Sequence, residues 1–293
     1  MKRAFAWTIA ALFLTACGNA QTLSGRSNDA LVVGSQDYYS NEIIAEAYAQ
    51  ALESAGYAVD RQFRIGQREV YLPELEAGAI DVLPEYSGNL LQYLDSESTA
   101  TTADRAYAAL MEAMPDGLRV LDQSDASDQD TYVVTREFAE KNSVSSLADL
   151  KGLEGLTLGG NSELETRPYG PVGLKQVYGV TAAFTPIEDS GGSLSVKALR
   201  DGDVQLIDVY SADPILADGD LVALEDPKGL FLSSRVVPVA SSRVDEGAAD
   251  VINAVSAALS ASELVELNRW SVREQRSAAQ IAASWLASEG LAG

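Results

Sequence analysis

The chain contains no histidine among its 293 residues. Ser-His-Asp and Cys-His nucleophile arrangements, His-ligated zinc and the usual general base near neutral pH are therefore excluded together. A single cysteine, Cys17, rules out a disulfide framework or a cysteine-cluster metal site within one chain. Basic residues are scarce: Lys and Arg total 21 against 43 Asp and Glu, a net charge of -22. Phosphate binding needs clustered cations, so nucleic acid is not an expected partner. Apolar runs of the roughly 20 residues needed to cross a membrane are also missing. With no catalytic set and no cofactor or metal expected, binding is the leading expectation and an enzyme is not.

A composition of 46% hydrophobic and 22% charged residues suits one large or two medium α/β domains with a proper core. At the N-terminus, Met1-Lys2-Arg3 gives a positive start. Ala4 to Leu14 then forms an apolar run of about ten residues, the length of a signal-peptide core rather than a membrane span. Leu14-Thr15-Ala16-Cys17-Gly18 resembles the bacterial lipobox, whose cysteine is lipidated and becomes the mature N-terminus. Residues 1–17 are thus expected to be a lipoprotein signal peptide with lipidated Cys17, and polar residues 18–30 a flexible tether. The body is expected to be soluble and held at an outer membrane face through that lipid alone.

Two stretches share one construction. In Leu75 to Asn89 a helix ends at Gly78, a short apolar strand follows, and Pro84 is expected to stop it so that Glu85 and Tyr86 project from its end. In Leu199 to Tyr210 a helix ends at Gly202 and a strand leads to Tyr210. Open α/β sheets bind ligands beyond the carboxyl ends of their strands, so two lobes each delivering a tyrosine predict facing aromatics across a cleft. Around these copies the periodicity predicts a strand at 31–34, a helix at 41–54 ended by Gly56, a strand at 57–64 and a helix at 69–77. This βαβαβ order implies a parallel sheet. The acidic stretch Asp122 to Asp130 reads as a first crossing between lobes, Asp226 to Arg235 as the return, Val236 to Ala240 as a strand rejoining the first sheet, and the last 48 or so residues as three helices. Lobe 1 is expected to comprise 31–127 plus 233–293, and lobe 2 128–232.

These residues carry a family resemblance. Gly34-Ser35 before a polar loop and long helix, and the block Pro84-Glu85-Tyr86-x-Gly88, are similar to the substrate-binding proteins of osmoprotectant ABC importers, which take up glycine betaine, choline, carnitine and related quaternary amines. The likeness continues through Thr131-Tyr132, Arg167-Pro168, Gly173-Leu174, Ile207-Asp208-x-Tyr210 and Leu224-Glu225-Asp226. It implies a two-lobed periplasmic-binding-protein fold of type II with a discontinuous first domain and a ligand cleft between lobes. It also implies a monomer that hands its solute to the transmembrane subunits of an ABC permease. A trimethylammonium group donates no hydrogen bond and is held by cation-π contact with several aromatic faces, each about 0.5–2 kcal/mol. Carried over, the resemblance puts cage tyrosines on Tyr86, Tyr132 and Tyr210, and on Arg167 the arginine that receives a ligand carboxylate.

Departures from the family pattern are informative. Ser234 stands where a fourth cage tyrosine is usual, Gln36 replaces a lysine, and Asn89 stands where threonine is frequent. Tyr38, Tyr39 or Arg235 is a candidate to fill the place of the missing tyrosine. A ligand larger than glycine betaine, or one without a carboxylate such as choline, gains weight. The alternative keeps the fold with another cationic solute, a basic amino acid, polyamine or ergothioneine-like betaine, attracted by Asp37, Glu85 and Asp213. Paired carboxylates Glu85 and Asp208 could imitate a glycosidase pair, but their positions recur in a non-enzymatic family.

Overall fold

The computed structural model describes residues 29–292; Cys17, the signal peptide and nearly all of the tether lie outside the described residues. The chain runs β1 (Leu31–Gly34), α1 (Tyr39–Ser54), β2 (Val59–Gln62), α2 (Arg68–Glu76) and β3 (Val82–Tyr86), then α3 (Ser87–Leu94), α4 (Ala103–Ala113) and β4 (Leu118–Val120). β5 (Asp130–Thr135), α5 (Arg136–Asn142), β6 (Thr157–Gly160), α6 (Pro171–Tyr178), β7 (Ala183–Pro186), α7 (Ser193–Asp201), β8 (Leu206–Tyr210) and β9 (Leu221–Ala223) follow. β10 (Val236–Ser241) and the helices α8 (Glu246–Ala258), α9 (Ala261–Glu274) and α10 (Ala278–Ser288) end it.

Two five-stranded sheets result, ordered β2-β1-β3-β10-β4 and β7-β6-β8-β5-β9. The chain leaves the first sheet after β4 and returns to it at β10, so the first is built from two separated stretches. β1, β2 and β3 are parallel, as their order implies, but β10 runs antiparallel between β3 and β4. A strand arriving from the other sheet enters from the opposite end, which alternation alone does not reveal. Helices cover both faces of each sheet: α1 with α8, α9 and α10 packs on one side of the first around Tyr48, Ile252 and Trp285. Among the described residues, no single helix is long and apolar enough to cross a membrane.

Pro84 does not end β3. It sits opposite Pro238 in the β10 ladder, and its carbonyl turns away to accept Asn41 Nδ2 at 2.9 Å. The missing N–H therefore faces a side where β1 has already stopped, the position in which a strand tolerates proline. The strand runs on to Tyr86. Gly88 is required by close approach, since a Cβ there would lie 2.7 Å from the Leu232 carbonyl oxygen and 2.8 Å from that of Ser233. In both copies the helix ends at a left-handed glycine, Gly78 (φ 69°) and Gly202 (φ 81°), and the strand ends at the tyrosine.

Candidate functional site

The carboxyl ends of β3 and β8 face each other across the gap between the sheets, and the cavity between them is about 30 Å³. That is room for a couple of waters. Four tyrosines line it: Tyr38 from the start of α1, Tyr86, Tyr210 and Tyr169. Tyr38 lies between the two strand-end rings, its centroid 4.7 Å from Tyr210 and 6.3 Å from Tyr86. Burial pushes all four phenols further above their ordinary range, so they remain neutral hydroxyls at any ordinary pH.

Four carboxylates share the lining: Asp128, Asp130, Glu163 and Asp208. None is ion-paired with a basic residue among the described residues. Asp208 Oδ1 is shut off from solvent without a hydrogen-bond partner. Burial first, and Asp130 second, hold the Asp208 carboxyl well above its ordinary value. Asp128 accepts from Ser40 Oγ and the Ala212 amide, yet burial still pushes it up to about 7. Burial likewise raises Glu163.

Two arginines line the cavity, and each already holds a carboxylate. Arg68 grips Glu85 through Nε at 2.7 Å and Nη2 at 2.8 Å, and Glu85 also accepts from the Tyr71 hydroxyl and the Tyr86 amide. Arg167, from the second sheet's side, grips Glu69 on α2 of the first through Nη1 at 2.7 Å and Nη2 at 3.1 Å, with its guanidinium over the Tyr93 ring. Further bonds join the two sides: Asn89 Nδ2 donates to Asp130 and, at 3.4 Å, to the Tyr169 hydroxyl, and Tyr39 donates to Asp213 at 2.9 Å.

Of the residues singled out in the sequence, Tyr86, Tyr210, Arg167, Gln36, Asn89 and Tyr38 come together here. Tyr132 does not. It lies two positions beyond the cavity-lining Asp130, roughly 7 Å deeper along β5, fully buried with its ring edge-on to Phe231 and its hydroxyl donating to the Tyr169 carbonyl. Tyr132 supports Tyr169 from behind. Tyr39 points to Asp213 rather than into the cavity, so the tyrosine beside the strand-end rings is Tyr38. Ser234 turns its hydroxyl to the amides of Gly88 and Asn89 at the start of α3, and Arg235 reaches Asp104 and Asp125 at the surface. Asp37 is exposed, Glu85 is neutralised by Arg68, and Asp213 is bound to Tyr39, so the cavity's acidity comes from other residues.

Of those, Asp208 was singled out in the sequence only as the partner of Glu85 in a carboxylate pair; Asp128, Asp130, Glu163, Tyr169 and Arg68 were not singled out. In the structure every even position from Ser124 to Asp130 is buried and every odd one less so, a strand-like alternation, but the residues themselves, polar except Ala126, carry no apolar pattern that announces it. Glu163 and Arg68 carry no mark either.

Comparison with known proteins agrees with this architecture. Residues 29–288 match the family described as the substrate binding domain of ABC-type glycine betaine transport systems. The chain is 26% identical over 274 residues to the glycine betaine-binding protein YehZ of Escherichia coli, covering 88% of this chain and 90% of that protein. A solved glycine betaine/carnitine/choline ABC transporter structure shares the fold with a TM-score of 0.70 at 21% identity, over 90% of this chain and 100% of that one. An ABC-transporter choline binding protein in complex with choline does so with a TM-score of 0.61 at 15% identity, over 88% and 89%. The chain belongs to the family of substrate binding domains of ABC-type glycine betaine transport systems.

Proposed function

We propose that this protein is the extracytoplasmic solute receptor of an ABC importer and that its solute is a quaternary-ammonium cation with a neutral far end, of which choline is the model. The observation that carries this reading is the lining itself: four tyrosines around four carboxylates without basic partners, with both arginines occupied by glutamates. The aromatic faces suit a trimethylammonium head, and the carboxylates supply the countercharge that a buried cation needs. Tyr38, Tyr86, Tyr169 and Tyr210 are assigned the cage, Gln36 and Asn89 its polar edge, and Arg167 the far wall. A trimethylammonium head is larger than the present cavity, so capture requires the two lobes, 31–127 plus 233–293 and 128–232, to part and close again. The receptor works as a monomer tethered through a lipid on Cys17 and passes its solute to the permease's transmembrane subunits; incorporation of labelled lipid that persists in Cys17→Ala would refute the anchor.

Binding to the folded state raises stability by about 4 kcal/mol at a thousandfold excess over Kd. Choline at millimolar concentration should therefore raise Tm by several degrees. Unchanged Tm with choline, carnitine, glycine betaine and ergothioneine alike contradicts the solute class. The carboxylates also favour a second reading, a diamine or basic amino acid; a stronger response to putrescine or arginine than to choline selects it.

A further inference from the structure

The Arg167–Glu69 pair differs from the other arginine–glutamate pair in the cavity. Arg68 and Glu85 are both buried, and Glu85 is held from two further directions by Tyr71 and the Tyr86 amide, so that pair is part of the fold. Arg167 is 8% exposed while the Glu69 side chain is 48% exposed. Glu69 comes from helix α2 of the opposite sheet's side and is exposed; it does not itself line the cavity but places both its oxygens on the terminal nitrogens of the cavity-lining Arg167. Burial works to raise the Glu69 carboxyl, but the guanidinium outweighs it and holds it below its ordinary value, so it is ionised wherever the protein is folded near neutrality.

We propose that Glu69 is the specificity-determining residue of this receptor: its carboxylate fills the guanidinium fork of Arg167 and thereby excludes solutes that carry a carboxylate of their own. A planar fork accepts one carboxylate in bidentate geometry. A zwitterionic betaine entering the cavity meets two forks already taken and must either displace Glu69 into water or bury its own carboxylate among Asp128, Asp130, Glu163 and Asp208. The first exchanges one charge-assisted pair for another with no net gain, and the second is repulsive. A cation with a neutral far end meets neither difficulty. Because α2 and Arg167 lie on opposite sides of the gap, the same pair also bridges those two sides.

This inference rests on the reading of the cavity as a quaternary-ammonium site, and the two fail differently. The test is calorimetric titration of choline and glycine betaine into the full protein, the Glu69→Gln variant and the double variant Glu69→Gln/Arg167→Gln. Glutamine keeps the size of the side chain and removes the charge that competes for Arg167. The expected result is that Glu69→Gln shifts the choline-to-betaine preference toward glycine betaine by about tenfold or more, and that the double variant loses that shift. A preference unchanged within about twofold in a Glu69→Gln protein that still melts cooperatively and still binds choline overturns the inference. Equal weakening of both solutes also overturns it, leaving Glu69 as a bridging contact only. Wild-type protein that binds neither solute contradicts the functional reading instead.

Discussion

Tyr86 and Tyr210 end equivalent strands of the two sheets, yet the carboxylate that precedes each is treated in opposite ways. Glu85, next to Tyr86, is fully buried and matched by the Arg68 guanidinium, the Tyr71 hydroxyl and a backbone amide. Asp208, two before Tyr210, keeps an oxygen with no partner among the described residues, and burial lifts its carboxyl well above its ordinary value. One side closes its charge within the fold, and on the other the ionised form of Asp208 has no basic group to compensate it. An uncompensated buried carboxylate is expensive unless a cation arrives. On the proposed function, the second sheet's side is where a positive solute gains its countercharge, while both sides supply aromatic faces.

Breaking the compensated half should have the largest effect. Glu85→Ala strands Arg68 inside the protein and is expected to lower unfolding free energy by about 3–5 kcal/mol, read from denaturant midpoints; a loss under about 1 kcal/mol would mean that the pair is dispensable. The matching change in the other half has the opposite sign for the solute-free protein. Asp208→Asn replaces a carboxyl whose ionised form the fold disfavours, so it should raise Tm without solute at pH 8 and weaken choline by about tenfold, close to 1.4 kcal/mol. If Asp208→Asn destabilises the protein and leaves binding unchanged, the two carboxylates are not different in kind.

A pH series sharpens the same contrast. Asp128, pushed up to about 7 by burial with Asp213 and Asp130 adding to the rise, keeps a proton in the folded protein over a range, from about pH 4 upward, in which the unfolded chain has lost it. Stability of the solute-free protein from this group is thus present at low pH and lost as pH rises through about 7, and Tm should be higher at pH 5.5 than at pH 8. Choline affinity should move the other way, because a cation favours the ionised carboxyl. The smallest effect is expected at Tyr132: Tyr132→Phe loses one hydrogen bond to the Tyr169 carbonyl, about 1 kcal/mol of stability, with choline affinity within about twofold. A tenfold loss of affinity there would return Tyr132 to the cage.

Most of the fold was legible because each element carries its own local signal: short apolar runs in β1 and β8, helical spacing in α1, glycines where helices end, and polar stretches where the chain changes sheets. The repeated glycine-to-tyrosine spacing located both strand ends that line the cavity. What escaped depends on neighbours rather than on sequence spacing. Pro84 continues its strand because β1 stops short beside it, and β10 is reversed because of where the chain re-enters. Tyr132 points along the same face as Asp130 but too deep to reach the cavity. The partners of Arg167 and Arg68 are 98 and 17 residues away, and only the three-dimensional arrangement reveals that both guanidinia are taken.

The central claim is that this cavity takes a cation whose far end is neutral. It is tested most directly by titrating choline and glycine betaine separately into the wild-type protein by calorimetry at pH 8. Choline should bind with the lower Kd; glycine betaine binding as tightly or more tightly would contradict the account.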